Sequence, residues 1–323
     1  MRTLVRILAL TVASLLATTA QGQTFPLPGK TVRIVVPFAP GGATDLQARL
    51  IGQKLGESLG VPVIVDNKPG ASTLIGSREV IKAAPDGHTL LYTIAIITQL
   101  QHLYKTPPFD LFRDFTALTA GAIGGTVLTA HSAVPANNLK ELVAYAKANP
   151  GKLNYASFGA GTTAHLNGEM LRRLAGIDIV HVPYKGSGDA MKDLLGGQVQ
   201  LFFDGVTTAI SNTKTGKVKM LSAATARRIP VLPDLPTMRE QGVDISIDGF
   251  LGFFGPARMP PALAQAVTRE LIKAISNPDV KKALVDGGYE PGGMPQAEYV
   301  KFVRVIYERW GEVIRDVGVK LDQ

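Results

Sequence analysis

The chain has 323 residues, enough for two domains, and its 46% hydrophobic and 19% charged content excludes a disordered or fibrous protein. Its formal net charge of +8 comes without a Lys/Arg block, and the aromatic residues are not interleaved with basic runs, so no nucleic-acid partner is indicated. Cysteine is absent, which excludes disulfides, thiol chemistry and Cys-ligated metals.

Residues 1–22 read as a secretory signal segment. Arg2 and Arg6 give a basic start, 4–16 is apolar, and Ala20-Gln21-Gly22 offers small residues before a cut at Gln23. The apolar run is shorter than the roughly 20 residues that span a bilayer. From Thr31 onward, strand-like and helix-like patterns alternate. Strands are expected over 31–36, 61–65 and 89–93, with helices over 45–59 and 74–84. Residues 109–115 read as irregular, and the Gly-, Ala- and Thr-rich stretch 117–129 as a crossing between lobes. A second series follows: helix 139–148, strand 153–157, helix 163–174, strand 177–182, helix 189–195, and strands 199–203 and 218–223. The segment 229–242, with three prolines, reads as a connection back. An apolar stretch at 250–254 precedes helices over 263–276 and 296–317. This pattern predicts an α/β fold of two lobes with a cleft between them. Lobe 1 is discontinuous, 23–124 with 245–323, and lobe 2 is 125–244.

Two strand-to-helix turns carry the chemistry. The first runs Val36-Pro37-Phe38-Ala39-Pro40-Gly41-Gly42-Ala43-Thr44-Asp45, and the second Ser157-Phe158-Gly159-Ala160-Gly161-Thr162-Thr163-Ala164-His165. Small residues let a ligand reach the backbone, and a helix N-terminus offers free N–H groups and partial positive charge to an anion. Thr44 or Asp45 is the candidate cap of the first helix; Asp45 could also steady the loop or accept from a ligand hydroxyl. His165 either orients the second loop or contacts ligand. A third turn, Tyr184-Lys185-Gly186-Ser187-Gly188, has Lys185 to steer an anion, Tyr184 to wall a pocket and Ser187 to cap a helix. Asp204 ends a strand, where it accepts from a ligand group or caps the residues after it. His181 and Trp310 read as packing residues.

Gly159-x-Gly161-x-x-Ala164 also fits a dinucleotide fingerprint, which would make the chain an exported enzyme. Against it, the following strand ends in Pro183-Tyr184-Lys185 with no acidic residue to hold a ribose. No Gly-x-Ser-x-Gly is present, and none of the five His is spaced for metal binding.

The segment from Thr31 to Asp45 resembles the opening motif of the Bug family, the TctC-like extracytoplasmic solute receptors of tripartite tricarboxylate transporters. So do Asp66-Asn67-Lys68-Pro69-Gly70-Ala71, Ala84-Pro85-Asp86-Gly87-His88, Asn149-Pro150-Gly151-Lys152-Leu153, His181-Val182-Pro183-Tyr184-Lys185-Gly186, Leu194-Leu195-Gly196-Gly197-Gln198 and Leu232-Pro233-Asp234-Leu235-Pro236. The resemblance implies a type II periplasmic binding protein of the Venus-flytrap kind. It implies no cofactor, no metal and no catalysis. It implies a small organic carboxylate as ligand, a monomer in the periplasm, and delivery to a membrane permease. Carried over, the ligand-binding residues are Phe38, Ala39, Gly41, Gly42, Thr44 and Asp45 on one lobe, and Gly161, Thr162, Thr163, His165, Tyr184 and Asp204 on the other. An exported sensor for a signalling partner would look the same. One stretch departs from the family. Residues 92–99, expected as a small polar loop, read Tyr-Thr-Ile-Ala-Ile-Ile-Thr-Gln. That bulk favours an apolar body between carboxylates, as in terephthalate or a medium-chain diacid, over citrate.

Overall fold

The computed structural model describes residues 25–321; the expected signal segment lies outside them. β1 (Val32–Val36) is rich in β-branched residues and buried everywhere except Arg33, as suits a strand covered on both faces. It leads through α1 (Ala43–Leu59), β2 (Val63–Asn67) and α2 (Leu74–Ile81) to β3 (Thr89–Ile94). β1 pairs in parallel with both β2 and β3.

Residues 92–99 are not a loop. Tyr92 to Ile94 complete β3, and Ile96 opens α3 (Ile96–Leu103). Ile96, Ile97 and Leu100 are buried in the core, and the stretch holds no Gly or Pro to break either element. Residues 109–115 are likewise more regular than expected: α4 (Leu111–Asp114) is one turn capped by Asp110, and β4 (Phe115–Gly124) begins directly after it.

The chain then changes sheets. β4 ends at Gly124 and β5 (Thr126–His131) lies in the other sheet, so Gly125 is the crossing point. A Cβ at Gly125 would lie 2.6 Å from Cγ2 of Thr225, where the chain passes on its way back. The second series comprises α5 (Leu139–Ala148), β6 (Leu153–Ser157), α6 (Thr163–Ala175), β7 (Ile179–Pro183), α7 (Ser187–Leu195), β8 (Leu201–Gly205), α8 (Val206–Thr213) and β9 (Val218–Ala223). An irregular return leads to β10 (Gly249–Pro256), α9 (Pro261–Ile275), α10 (Pro278–Asp286), β11 (Glu290–Pro291) and α11 (Gln296–Val317).

The strand order is β11-β4-β10-β3-β1-β2 in the six-stranded sheet and β7-β6-β8-β5-β9 in the five-stranded one. β10 lies antiparallel between β3 and β4, β11 antiparallel to β4, and β5 antiparallel between β8 and β9; the remaining strand pairs are parallel. One buried cluster underlies the first sheet, and two smaller ones flank the second. Val313, on α11, packs against both the first-sheet and a second-sheet cluster. Among the described residues no helix is long and apolar enough to cross a membrane.

Candidate ligand cleft

Parallel α/β units place helix N-termini just beyond the carboxyl ends of their strands, and a cleft there collects them. The two sheets turn those ends toward each other around a cavity of about 60 Å³. Its wall includes Gly42, Ala95, Thr163, Ser187 and Gly205. Each is the N-cap or first residue of a helix: α1, α3, α6, α7 and α8 respectively. Four of these five ends lack a side-chain cap, α6 being the exception through Thr162. Away from the cavity, α4, α5 and α10 are capped by Asp110, Asn138 and Asn277, whereas α2, α9 and α11 have no side-chain cap. First-turn N–H groups facing a cavity without a side-chain cap suit an anion; at α8 the Val206 N–H already meets the Tyr289 hydroxyl.

No Lys, Arg, His, Asp or Glu is among the lining residues; Tyr289 is the only ionisable one. Thr44, Thr126, Thr163, Ser187 and Tyr289 bring hydroxyls, and Ile94, Phe250 and Leu251 bring apolar surface. Burial pushes the Tyr289 hydroxyl up, and the Asp204 carboxyl beside it adds to that. Phe38 and Phe158 meet edge to face, with centroids 6.4 Å apart at 85°. They line this cavity and also an outer one of about 240 Å³ that takes in Thr162, Tyr184 and Lys185.

The expected site residues divide between wall and support. Phe38, Gly42, Thr44 and Thr163 reach the inner cavity, whereas Thr162 and Tyr184 face the outer one. Tyr184 donates its hydroxyl proton to Asp193 at 2.7 Å. Ala39 donates its N–H across the cleft to the Lys185 carbonyl at 3.1 Å. Asp45 is buried behind the first turn, on neither cavity's wall. Its carboxylate accepts from the Gly41 N–H at 2.9 Å, from Asn67 at 3.0 Å and from Arg49 at 2.9 Å. Neither Thr44 nor Asp45 caps α1. The N-cap is Gly42, because the chain is still extended there and turns helical at Ala43. Ser187 is likewise no cap: Gly186 holds the N-cap, and Ser187, as the first helical residue, faces the cavity.

In the second turn, Gly161 donates its N–H to Nδ1 of His165 at 3.0 Å, and Thr162 Oγ1 donates to the Gly159 carbonyl at 2.6 Å. His165 stacks on His181, with centroids 4.0 Å apart, so His165 orients the loop from inside. Burial lowers the pKa of both imidazoles. A Cβ at Gly161 would lie 2.7 Å from Leu103 and 2.9 Å from Leu321. The glycine that a pyrophosphate would approach is thus bonded to His165 and covered by leucines. Gln99 reaches from α3 to the same turn. With its amide set by the network, it donates to the Gly161 carbonyl at 2.9 Å and accepts from Thr163 Oγ1 at 2.8 Å and Trp310 Nε1 at 3.3 Å.

Asp204 is wholly buried at the end of β8, beneath Gly205 rather than on the wall. Sequence reasoning missed the β4–β5 crossing, the Gly249–Leu251 edge of β10 and Tyr289 as wall residues. The two glycine positions could have been found as small residues amid strand patterns. Tyr289 left no local signal.

Two sheets joined by crossing strands, with a cavity between their helix-bearing edges, define a periplasmic binding protein fold. Solved structures share it. The periplasmic binding protein BugD is 34% identical, covering 91% of this chain and 99% of its own, with a TM-score of 0.86. Rpa4515 of R. palustris, solved with adipate, is 30% identical over 91% and 99%, with a TM-score of 0.87. MatC (Rpa3494) from Rhodopseudomonas palustris, solved with bound malate, is 31% identical over 89% and 100%, with a TM-score of 0.84. The family model for the tripartite tricarboxylate transporter family receptor matches residues 47–319. The chain belongs to this family, TctC, whose Bug members it resembles across nearly its whole length, and it is a solute-binding protein.

Proposed function

We propose that this chain is exported to the periplasm, sheds residues 1–22, and captures a small organic carboxylate in the cleft without chemical change. Lobe 1 (23–124 with 245–323) and lobe 2 (125–244) close on the ligand about the crossings near Gly125 and Thr225. The closed form, a monomer, then hands the ligand to the permease of a tripartite tricarboxylate transporter. Ligand favours closure only through contacts it gains in the closed state. The site draws on Phe38, Ala39, Gly41, Gly42, Thr44 and Asp45 from the first lobe and on Gly161, Thr162, Thr163, His165, Tyr184 and Asp204 from the second, some as wall and some as support. Gly42, Thr44, Thr163 and Ser187 touch ligand, while Asp45, His165 and Asp204 hold those donors in place.

The observation that carries this reading is the convergence of five helix N-termini on one neutral cavity. Such a site binds an anion through main-chain dipoles, with no basic side chain to neutralise it. Ile94, Ala95, Phe250 and Leu251 form an apolar flank without side-chain donors, which favours a diacid with an unsubstituted body over a hydroxylated one. Adipate bound to a relative has such a body. The test is a thermal-shift screen of residues 23–323 against acetate, benzoate, malate, adipate, terephthalate and citrate. Adipate or terephthalate should raise the melting temperature most, by mass action. No shift with any of the acids would defeat the proposal.

A further inference from the structure

Asp204 is a carboxyl group set beneath a site for carboxylates. It is fully buried at the end of β8, one residue before the Gly205 N-cap of α8. Oδ1 accepts from the Gly205 N–H at 2.8 Å, while Oδ2 is buried and among the described residues has no hydrogen-bond partner. Nearby are the hydroxyls of Ser187, Thr208 and Tyr289, and Ser187 and Tyr289 line the inner cavity.

Among the described residues no cation acts on this carboxyl. From the α10–β11 connection comes Tyr289, whose buried phenol stays protonated. α6 brings His165, engaged with Gly161 and His181. α7 carries Asp189 and Lys192 on its exposed side and Asp193 paired with Tyr184. α1 brings Asp45, held by Arg49. β6 and α8 carry no charged residue, and on β5 the partner opposite Asp204 is Val127. Burial pushes Asp204 up to about 7, against the pull of Thr208, the Gly205 N–H and Ser187.

We infer that Asp204 is a positioning residue that carries a proton when the cavity holds an anion, so that an acid ligand binds together with one proton taken from solvent. This rests on the receptor reading above. An ionised carboxyl draws the neighbouring Ser187 hydroxyl hydrogen toward itself and leaves hydroxyl lone pairs facing the cavity, which repel a carboxylate. A protonated carboxyl can instead turn its hydrogen toward Ser187 Oγ and free the Ser187 hydroxyl hydrogen for the ligand. It also removes a negative charge from beside the ligand in a poorly solvated site.

The test titrates adipate into wild-type residues 23–323 by calorimetry at pH 8 to 9, in two buffers of different ionisation enthalpy. The expected result is uptake of close to one proton, with affinity falling about tenfold per pH unit above about 7. Asp204→Asn, whose amide can donate to Ser187 at any pH, should bind without proton uptake and with a flat pH profile. Zero uptake in the wild type, or unchanged uptake in the variant, overturns the inference. If adipate does not bind, carboxyl ¹³C NMR of the ligand-free chain decides. A resonance absent from Asp204→Asn and titrating near 7 supports the buried proton, and one titrating in the ordinary aspartate range overturns it. Failure to bind adipate by itself counts against the ligand class, not against the proton.

Discussion

Ala39 and Lys185 meet across the cleft, the N–H of one donating to the carbonyl of the other at 3.1 Å. The first lies in the turn after β1 and the second in the turn after β7. Gly186 permits the approach, because a Cβ there would sit 3.1 Å from both the nitrogen and the Cβ of Ala39. Its φ of 169° is extended backbone that any residue adopts. Gly186→Leu should therefore fold normally and act as a wedge. Small-angle scattering should show a more open molecule, and ligand affinity should fall at least tenfold. An unchanged scattering profile with full affinity would mean that this contact does not govern closure.

Gly161 has a left-handed φ of +77° and leucines on its open side. Gly161→Ala adds backbone strain and two close contacts. A loss of about 1–3 kcal/mol in urea unfolding is expected. Gly42→Ala is the control. With φ at −81° and its nearest contact at 3.5 Å, it should cost less than about 1 kcal/mol.

Asp45 holds the first turn from behind, so Asp45→Ala should lower stability by about 1–3 kcal/mol and weaken ligand binding through a loosened Gly41-Gly42 turn. Burial works against its charge, but Arg49, the Gly41 N–H and Asn67 outweigh it and hold the pKa below the ordinary 3.8. A carboxyl with a depressed folded pKa contributes stability above its unfolded value and loses that contribution as pH falls through the folded one. The wild-type advantage over Asp45→Asn should thus be present at pH 6 and shrink below about pH 4. Denaturation midpoints across that range check it.

His181 is held neutral, its pKa lowered to about 3 by burial first and by His165 second. The unfolded imidazole takes up a proton near 6.5, whereas the folded one does so only near 3. Stability therefore falls as pH drops through that window. His181→Gln, able to keep a bond to Ser157 Oγ (2.7 Å in the wild type), should flatten the decline. Urea midpoints at pH 7, 5.5 and 4.5 measure the difference.

Most of the architecture was legible because it is written in local periodicity. α5, β6, β9 and α11 begin and end where their apolar spacing and turn residues place them. Short elements were harder: α8 and α10 span 8 and 9 residues, too few turns for a persistent stripe. The 92–99 stretch was misread because apolar residues at a strand-to-helix junction look alike in either state. In the site, glycine-rich turns announced Gly42 and Thr163 by their place between strand and helix. Tyr289 and the Gly249–Leu251 edge reach the cavity only through the return crossing, a long-range contact that no local pattern encodes. The supporting role of Asp45 was offered beside a ligand-facing one, and only its three hydrogen-bond partners separate the two.

The most direct test is a crystal structure of residues 23–323 grown with the acid that gives the largest thermal shift. The account predicts its carboxylate in the inner cavity, within hydrogen-bond reach of the first-turn N–H groups of α1 and of Thr163 or Ser187, with its body along Ile94 and Leu251. A ligand lodged only in the outer cavity, or bound elsewhere with the inner one empty, would contradict it.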